Sequence, residues 1–172
     1  PEELEALAAR VEIEVGESGR EAAVGGRDVS SRLRTAEVSR AASKVSAVAA
    51  VRSALRLLQR SALRPPGLVV EGRDIGTVIF PEAGVKVFLD AAPTERARRR
   101  AVELSQSEGG VEAGEIRRVA EDLAERDRRD STRVVAPLEV AEGAMVIDST
   151  ALGAEEVVEL ILAEVRRRIS GA

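Results

Sequence analysis

Apolar residues recur along this chain with two periods, and each change of period marks a new element. Leu4, Leu7 and Ala8 follow Pro1, Glu2 and Glu3 at helical spacing. Proline suits the first helical position and acids suit its positive end, so the chain opens on a helix, with no polar residue to cap it. Val11, Ile13 and Val15 then alternate with Glu12 and Glu14, the period of a half-buried strand, and Ala22 to Val24 ahead of Gly25-Gly26 completes a small hairpin. Asp28, Ser30 and Ser31 are cap-type residues leading into a helix with Val38, Ala41, Ala42, Val45 and Val48 on one face. A second helix follows, striped by Val51, Leu55, Leu58 and Ala62, and Pro65-Pro66-Gly67 ends it.

Leu68-Val69-Val70 predicts a buried strand whose carboxyl end carries Glu71-Gly72-Arg73-Asp74-Ile75-Gly76-Thr77. Val85 to Asp90 predicts a second strand, and Pro93 opens a helix over Thr94 to Leu104. A Gly-rich, acidic break at Glu108 to Gly114 separates it from a helix running to about Asp130. Ala144 to Asp148 is a third strand, and Glu155 to Ile169 a closing helix with Val157, Leu160, Ile161 and Val165 inward. Strands separated by helices predict an α/β domain with a parallel sheet, preceded by a helix-hairpin-helix insert.

Composition narrows the chemistry. With 44% hydrophobic residues among 172, the chain can bury a core of its own. The sequence holds no Cys and no His, which excludes disulfides, thiolate nucleophiles, the usual zinc sites and His-based triads. Carboxylates, hydroxyls and guanidiniums remain, because the cations are almost all Arg, with Lys44 and Lys86 the two lysines. A net charge of -4 gives no overall attraction to nucleic acid or an anionic membrane, and Phe80 and Phe88 alone cannot form a platform for unpaired bases. No apolar run approaches membrane-spanning length, and the acidic start resembles no signal or transit peptide, so the expected location is the cytoplasm and the expected state a monomer.

Two stretches concentrate groups that can bind a nucleotide. Ligands of open parallel sheets sit beyond the carboxyl ends of strands, where Glu71, Gly72, Arg73 and Asp74 fall: Arg73 can hold a phosphate, and Glu71 or Asp74 can orient a metal-bound water or accept from a base. A polar turn closed by an Arg–Asp pair is the plain alternative. In the run Arg126 to Arg133, helical spacing puts Arg126, Arg129, Asp130 and Arg133 on one face, three cations about one carboxylate. That face suits an anion, whereas a solvated row of ion pairs is its plain alternative. Ser43 and Arg52, on successive helices, can offer donors to a flat polar ligand or simply face solvent. The arginines Arg96, Arg98, Arg99 and Arg100 can steer a phosphate, although an exposed helix accounts for them.

Taken together, Gly67 through Pro81 and Arg126 through Pro137 resemble the signature stretches of bacterial cytidylate kinase, a P-loop nucleoside monophosphate kinase. Supporting stretches are Gly26 to Ser30, Arg34 to Ser39, Ala41 to Ser46 and Val146 to Thr150, in the family's order over essentially the whole chain. The resemblance implies a P-loop kinase-type parallel sheet flanked by helices, with residues 1–64 as the insert that binds CMP and residues 65–172 as the rest of the core, including a short lid around 94–133. It implies transfer of the ATP γ-phosphate to CMP or dCMP, with Mg²⁺ as cofactor and no nucleic-acid or membrane partner. By the same carry-over Ser43, Arg52 and Asp74 read the cytosine, Arg126 and Asp130 hold the ribose, and Arg73 and Arg133 hold the CMP phosphate. Glu71 would position water on Mg²⁺, Arg128 and Arg129 would contact ATP, and Ser105 to Gly114 would lie near the hinge or tip of the lid. The chemistry of Asp74 agrees, because cytosine offers an amino donor where uracil offers an acceptor.

One departure matters. Nothing here reads G-x-x-x-x-G-K-[ST], and neither Lys44 nor Lys86 follows a glycine. In the family that loop follows a first strand that would precede Pro1, so the expectation is a truncated core, with a gap between the strand at Leu68 and that at Val85, apolar edges exposed, and a chain inactive by itself. Smaller departures are Ala92 and Gly153, where polar helix caps are expected. A non-catalytic pyrimidine-nucleotide-binding module and an arginine-rich RNA binder are the rival classes, the latter opposed by the net charge and the scarcity of aromatics.

Overall fold

The computed structural model describes residues 2–16, 21–33, 35–65, 67–105, 111–133 and 135–170. Residues 106–110, within the break expected at Glu108–Gly114 and the lid hinge or tip at Ser105–Gly114, lie outside them. The chain divides into two compact units, Pro1–Leu68 and Val69–Ala172.

In the first unit, helix α1 (Glu2–Arg10) packs on helix α3 (Ala49–Ser61). Next in the chain after α1, strands β1 (Ile13–Val15), β2 (Ala22–Val24) and β3 (Arg27–Asp28) form an antiparallel sheet in that order. Gly25 and Gly26 both have positive φ, 54° and 72°, which the two-residue turn between β2 and β3 requires and which side chains resist. Asp28 and Ser30 do not cap the next helix as expected. The Asp28 carboxylate instead accepts from the Ser30 backbone at 2.8 Å and stabilises a short 3₁₀ turn over Ser30–Arg32. Helix α2 (Ala36–Val45) is capped by Thr35, whose hydroxyl accepts from Val38 N at 3.2 Å.

The second unit opens differently from the expectation. Leu68-Val69-Val70 forms no strand: no described segment pairs with it, and Val69 is fully exposed. A β-branched run supplies the propensity for a strand, but a strand exists only with a partner for its backbone groups. At Asp74 the chain tightens into a π-type turn over Ile75–Ile79, where the Asp74 carbonyl accepts from Val78 N at 2.9 Å and Ile79 N at 3.2 Å. Gly72 permits this turn, since a Cβ there would lie 2.7 Å from Ile75 Cγ1.

Strands β4 (Val87–Asp90) and β5 (Met145–Asp148) pair in parallel, Val87 opposite Met145 through Asp90 opposite Asp148. The crossover between them carries helices α4 (Pro93–Leu104) and α5 (Ala113–Thr132), as parallel strands require, and α6 (Ala154–Ser170) follows β5. The unit is thus α/β with a small parallel sheet, two strands wide among the described residues. Buried Ala97 and Ala101, four residues apart, put a flat, small-residue surface on α4, which packs against α5. Ala92 gives α4 no side-chain cap, whereas the Gly153 backbone at the start of α6 donates to Glu156 Oε2 at 2.8 Å, the return half of a capping box.

The carboxyl ends of the two strands are tied to α4 by Arg99. Its Nη1 donates to Ser149 Oγ at 3.0 Å, and its Nη2 to the carbonyls of Ser149 at 2.6 Å and Leu152 at 3.3 Å. Ser149, 1% exposed, in turn donates from N and Oγ to the Asp90 carbonyl at 2.8 and 2.9 Å. Replacing Arg99 by Leu removes these three charge-assisted bonds and a fourth, from Nε to Glu95, and is expected to cost about 2 kcal/mol in urea unfolding, and a loss below about 0.5 kcal/mol would contradict this tie.

Glu95 holds the same helix turn, accepting from Arg98 Nε and from Arg99 Nε, each at 2.8 Å. These bonds pull its pKa from the ordinary 4.5 down to about 2. A depressed carboxylate stabilises the fold fully above its unfolded pKa and loses that contribution as pH falls toward the folded one. Stability should therefore decline between pH 4.5 and about 2, and Glu95→Gln should flatten that decline in acid unfolding curves. A variant with the parent's acid slope would rule this contribution out.

Candidate functional site

The chemistry-bearing residues of the second unit converge where the segment before the π-type turn meets the carboxyl half of α5. Asp130 stands at the centre, 3% exposed. Its Oδ2 lies 3.4 Å from Arg73 Nε and 3.7 Å from Arg126 Nε, and its Oδ1 lies 3.5 Å from Arg133 Nη1. Asp127, one turn earlier, lies 3.2 Å from Arg73 Nη1 through Oδ1 and pairs with Arg96 through Oδ2. Four guanidiniums thus enclose two carboxylates, and the cluster keeps an excess of positive charge.

The chain is routed to make this possible. Helix α5 ends at Thr132, and Arg133 leaves it in an extended conformation with ψ 141°. The chain then turns back, so that Leu138 N donates to the Asp130 carbonyl at 2.8 Å and Arg133 Nε donates to the Ala136 carbonyl. Ala136 adopts φ 53° to present that carbonyl, the one positive φ at a described residue other than glycine. The helical face inferred from spacing is corrected in two respects. Arg133 reaches Asp130 from beyond the helix end, and Arg129 turns to Glu125, donating from Nε to its carbonyl at 3.3 Å and pairing with its carboxylate at 3.5 Å. The i, i+4 spacing that pairs side chains on a helix face gives Arg129 its acid in Glu125, whereas Asp130 is its direct neighbour in the chain. Arg128 pairs with Glu125 as well and is largely exposed.

Burial leaves the cluster electrostatically tense. Desolvation pushes the Arg126 pKa below its ordinary value, the like charge of Arg73 adds to this, and Asp130 and Asp127 oppose it. Arg133 is lowered mainly by desolvation and further by Arg73, against the pull of Asp130. Among the described residues, buried Arg126 Nε and Arg133 Nη2 have no acceptor in hydrogen-bonding geometry, and Asp130 Oδ2 and Asp127 Oδ1 have no donor in it. Such groups are costly unless something satisfies them. Arg126 Nε and Asp130 Oδ2 form a donor and an acceptor 3.7 Å apart, a spacing that a hydroxyl can bridge by accepting from one and donating to the other.

The remaining candidates are Asp74 and Glu71 in the second unit and Ser43 and Arg52 in the first. Asp74 is buried, 7% exposed, at the start of the π-type turn, next to Arg73 in the chain. Glu71 is exposed. In the first unit, Ser43 on α2 is 4% exposed and its hydroxyl has no hydrogen-bond partner among the described residues, and Arg52 on α3 donates from Nη1 to the Ser46 carbonyl at 3.5 Å. Sequence reasoning passed over Asp127 and treated Arg96 as one of an exposed row. The i, i+3 relation of Asp127 to Asp130 was visible, but its pairing with Arg96, 31 residues away, was not.

Replacing Asp130 by Asn removes the carboxylate that three guanidiniums share. Because Arg133 is nearly buried while Arg73 and Arg126 keep partial solvent access, the expected loss is about 3 kcal/mol of unfolding free energy. A change within about 0.5 kcal/mol would class these pairs with ordinary surface ion pairs.

The family model for cytidylate kinase matches residues 1–167. A cytidylate kinase of Nitrosococcus oceani is 45% identical over 166 residues, covering 94% of this chain and 72% of that protein. One from Mannheimia succiniciproducens is 45% identical over 169 residues, 97% and 74% respectively. One from an Enterobacter species is 47% identical over 145 residues, 84% of this chain and 63% of its own length.

Proposed function

The chain belongs to the cytidylate kinase family, and from that premise we propose that its guanidinium cluster binds the 5′-phosphate and ribose of CMP or dCMP as the acceptor of the ATP γ-phosphate. The observation that carries this reading is the pair of buried donors, Arg126 Nε and Arg133 Nη2, in a cluster with more cations than anions. A dianionic phosphate satisfies Arg133 Nη2 and the excess of cations, a sugar hydroxyl satisfies Arg126 Nε, and charge-assisted bonds from arginine are the strong kind. Arg73 and Arg133 face the phosphate in this assignment. Arg126 and Asp130 take a sugar hydroxyl across their 3.7 Å gap.

The chemistry asked of the protein is alignment and charge neutralisation. An acceptor phosphate oxygen attacks the γ-phosphorus in line as ADP leaves, and the guanidiniums stabilise charge spread over the phosphate oxygens. Asp74 is assigned to the cytosine amino group, which a carboxylate accepts and which uracil lacks. In the first unit the same reading assigns Ser43 and Arg52 to the base, the buried Ser43 hydroxyl being a donor in need of an acceptor. Arg128 and Arg129 are assigned to ATP, their surface pairs with Glu125 being weak enough to yield to a polyphosphate.

Among the described residues no group of three acids could cage a cation. A single exposed carboxylate, Glu71, suits an ion that keeps its waters and is carried mainly by nucleotide phosphates. Mg²⁺ bound in this way neutralises charge on the transferring group. The 172 residues contain no glycine-rich phosphate loop with its lysine, so the chain by itself is expected to bind CMP without transferring phosphate. No described helix is long and apolar enough to cross a membrane.

Calorimetric titration tests the reading. CMP is expected to bind at least about tenfold more tightly than cytidine and than UMP, Arg133→Gln to erase the first ratio, and Asp74→Asn to reduce the second by about tenfold. Equal affinity for CMP and cytidine would refute the phosphate site. An undiminished preference for CMP over UMP in Asp74→Asn would refute the base-reading role. Production of CDP by the chain alone would refute the expectation of binding without transfer.

A further inference from the structure

Asp127 is the member of the cluster to which no role has yet been given. Its carboxylate joins two guanidiniums that arrive from different parts of the second unit, Arg73 at 3.2 Å on Oδ1 and Arg96 on Oδ2. Arg96 is itself anchored, donating from Nε to the Ala91 carbonyl at 3.1 Å, immediately after β4. The connection therefore runs from the strand end, through Arg96 and Asp127, to Arg73.

Arg73 needs such an anchor. It sits on a segment that belongs to no strand, three residues after the unpaired run Leu68–Val70. Two carboxylates one turn apart on α5 attract two of its nitrogens, Asp127 at Nη1 and Asp130 at Nε, as ion pairs rather than aligned hydrogen bonds, and attraction at two points of a planar guanidinium restricts how it can turn. A fork whose plane is set before the ligand arrives loses less entropy on binding than one that must be ordered by it.

We propose that Asp127, braced by Arg96, is a positioning residue that holds the Arg73 guanidinium in its phosphate-binding orientation. This rests on the assignment of Arg73 to the acceptor phosphate. The two effects of Asp127 on that site have opposite signs. As a nearby anion it repels phosphate, so removing its charge strengthens phosphate binding by Coulomb attraction alone. As a positioning residue its removal takes away the share of binding that runs through Arg73. The dependence on Arg73 separates the two.

The test is a double-mutant cycle on the ratio of CMP to cytidine affinity, measured by calorimetry. Arg73→Gln is expected to lower that ratio at least about tenfold in the parent chain and no more than about threefold in the Asp127→Asn background, the difference being the coupling between the residues. Asp127→Glu should restore most of the dependence on Arg73. Arg96→Gln, which removes the brace from the other side, should weaken it as Asp127→Asn does, and it supplies the result if Asp127→Asn does not give a cooperative thermal transition. The same tenfold loss in all backgrounds, or no loss in the parent, would overturn the proposal. A parent chain that binds cytidine as tightly as CMP would instead overturn the phosphate site itself, and this inference with it.

Discussion

The second unit is organised around the need to neutralise one buried carboxylate. Asp130, 3% exposed, cannot remain charged away from water without cations close by, and it draws them from three directions. Arg126 comes from its own helix, Arg133 from the extended chain beyond it, and Arg73 from the segment before the π-type turn. The last two require backbone features: for Arg133 the end of α5 at Thr132 and the positive φ of Ala136, and for Arg73 the close pass of Gly72 by Ile75. The Asp130 carbonyl joins in by accepting from Leu138 N.

Once the cations are gathered, their own burial leaves donors for the proposed ligand. Arg126 and Arg133 are desolvated beside another cation, with buried donors that no described protein acceptor satisfies. Such a cluster is costly compared with an apolar core, and the phosphate proposed to bind here would recover part of that cost. The neighbouring Arg99 shows the other use of the same side chain. It bonds the carbonyls of Ser149 and Leu152 and the Ser149 hydroxyl, and it fastens the ends of the parallel strands to α4. Acceptors fixed by the backbone make an arginine structural, whereas acceptors left to a ligand make it functional.

Much of this was legible in the sequence. The 3.6-residue period located α2 through α6, and the residues of the cluster come largely from two runs, Arg73-Asp74 and Arg126 to Arg133, that stand out for charge at the ends of apolar segments. What could not be read depends on partners distant in sequence. The run Leu68–Val70 has the composition of a strand, but pattern does not reveal whether a second strand lies beside it. Arg129 has two acids within one turn, and only packing decides that Glu125 takes it. Arg96 looked like one of four exposed arginines until the crossover of α4 and α5 brought it to Asp127. The capping of α2 by Thr35, rather than by the earlier serines, likewise followed from the Asp28–Ser30 turn using up those groups first.

The most direct measurement of the central claim is a crystal structure of the chain grown with CMP. The account predicts the phosphate within hydrogen-bond distance of Arg133 Nη2 and Arg73, with a ribose hydroxyl between Arg126 Nε and Asp130 Oδ2. A nucleotide bound with its phosphate in solvent, or at another group of arginines while this cluster keeps its unpartnered donors, would contradict it.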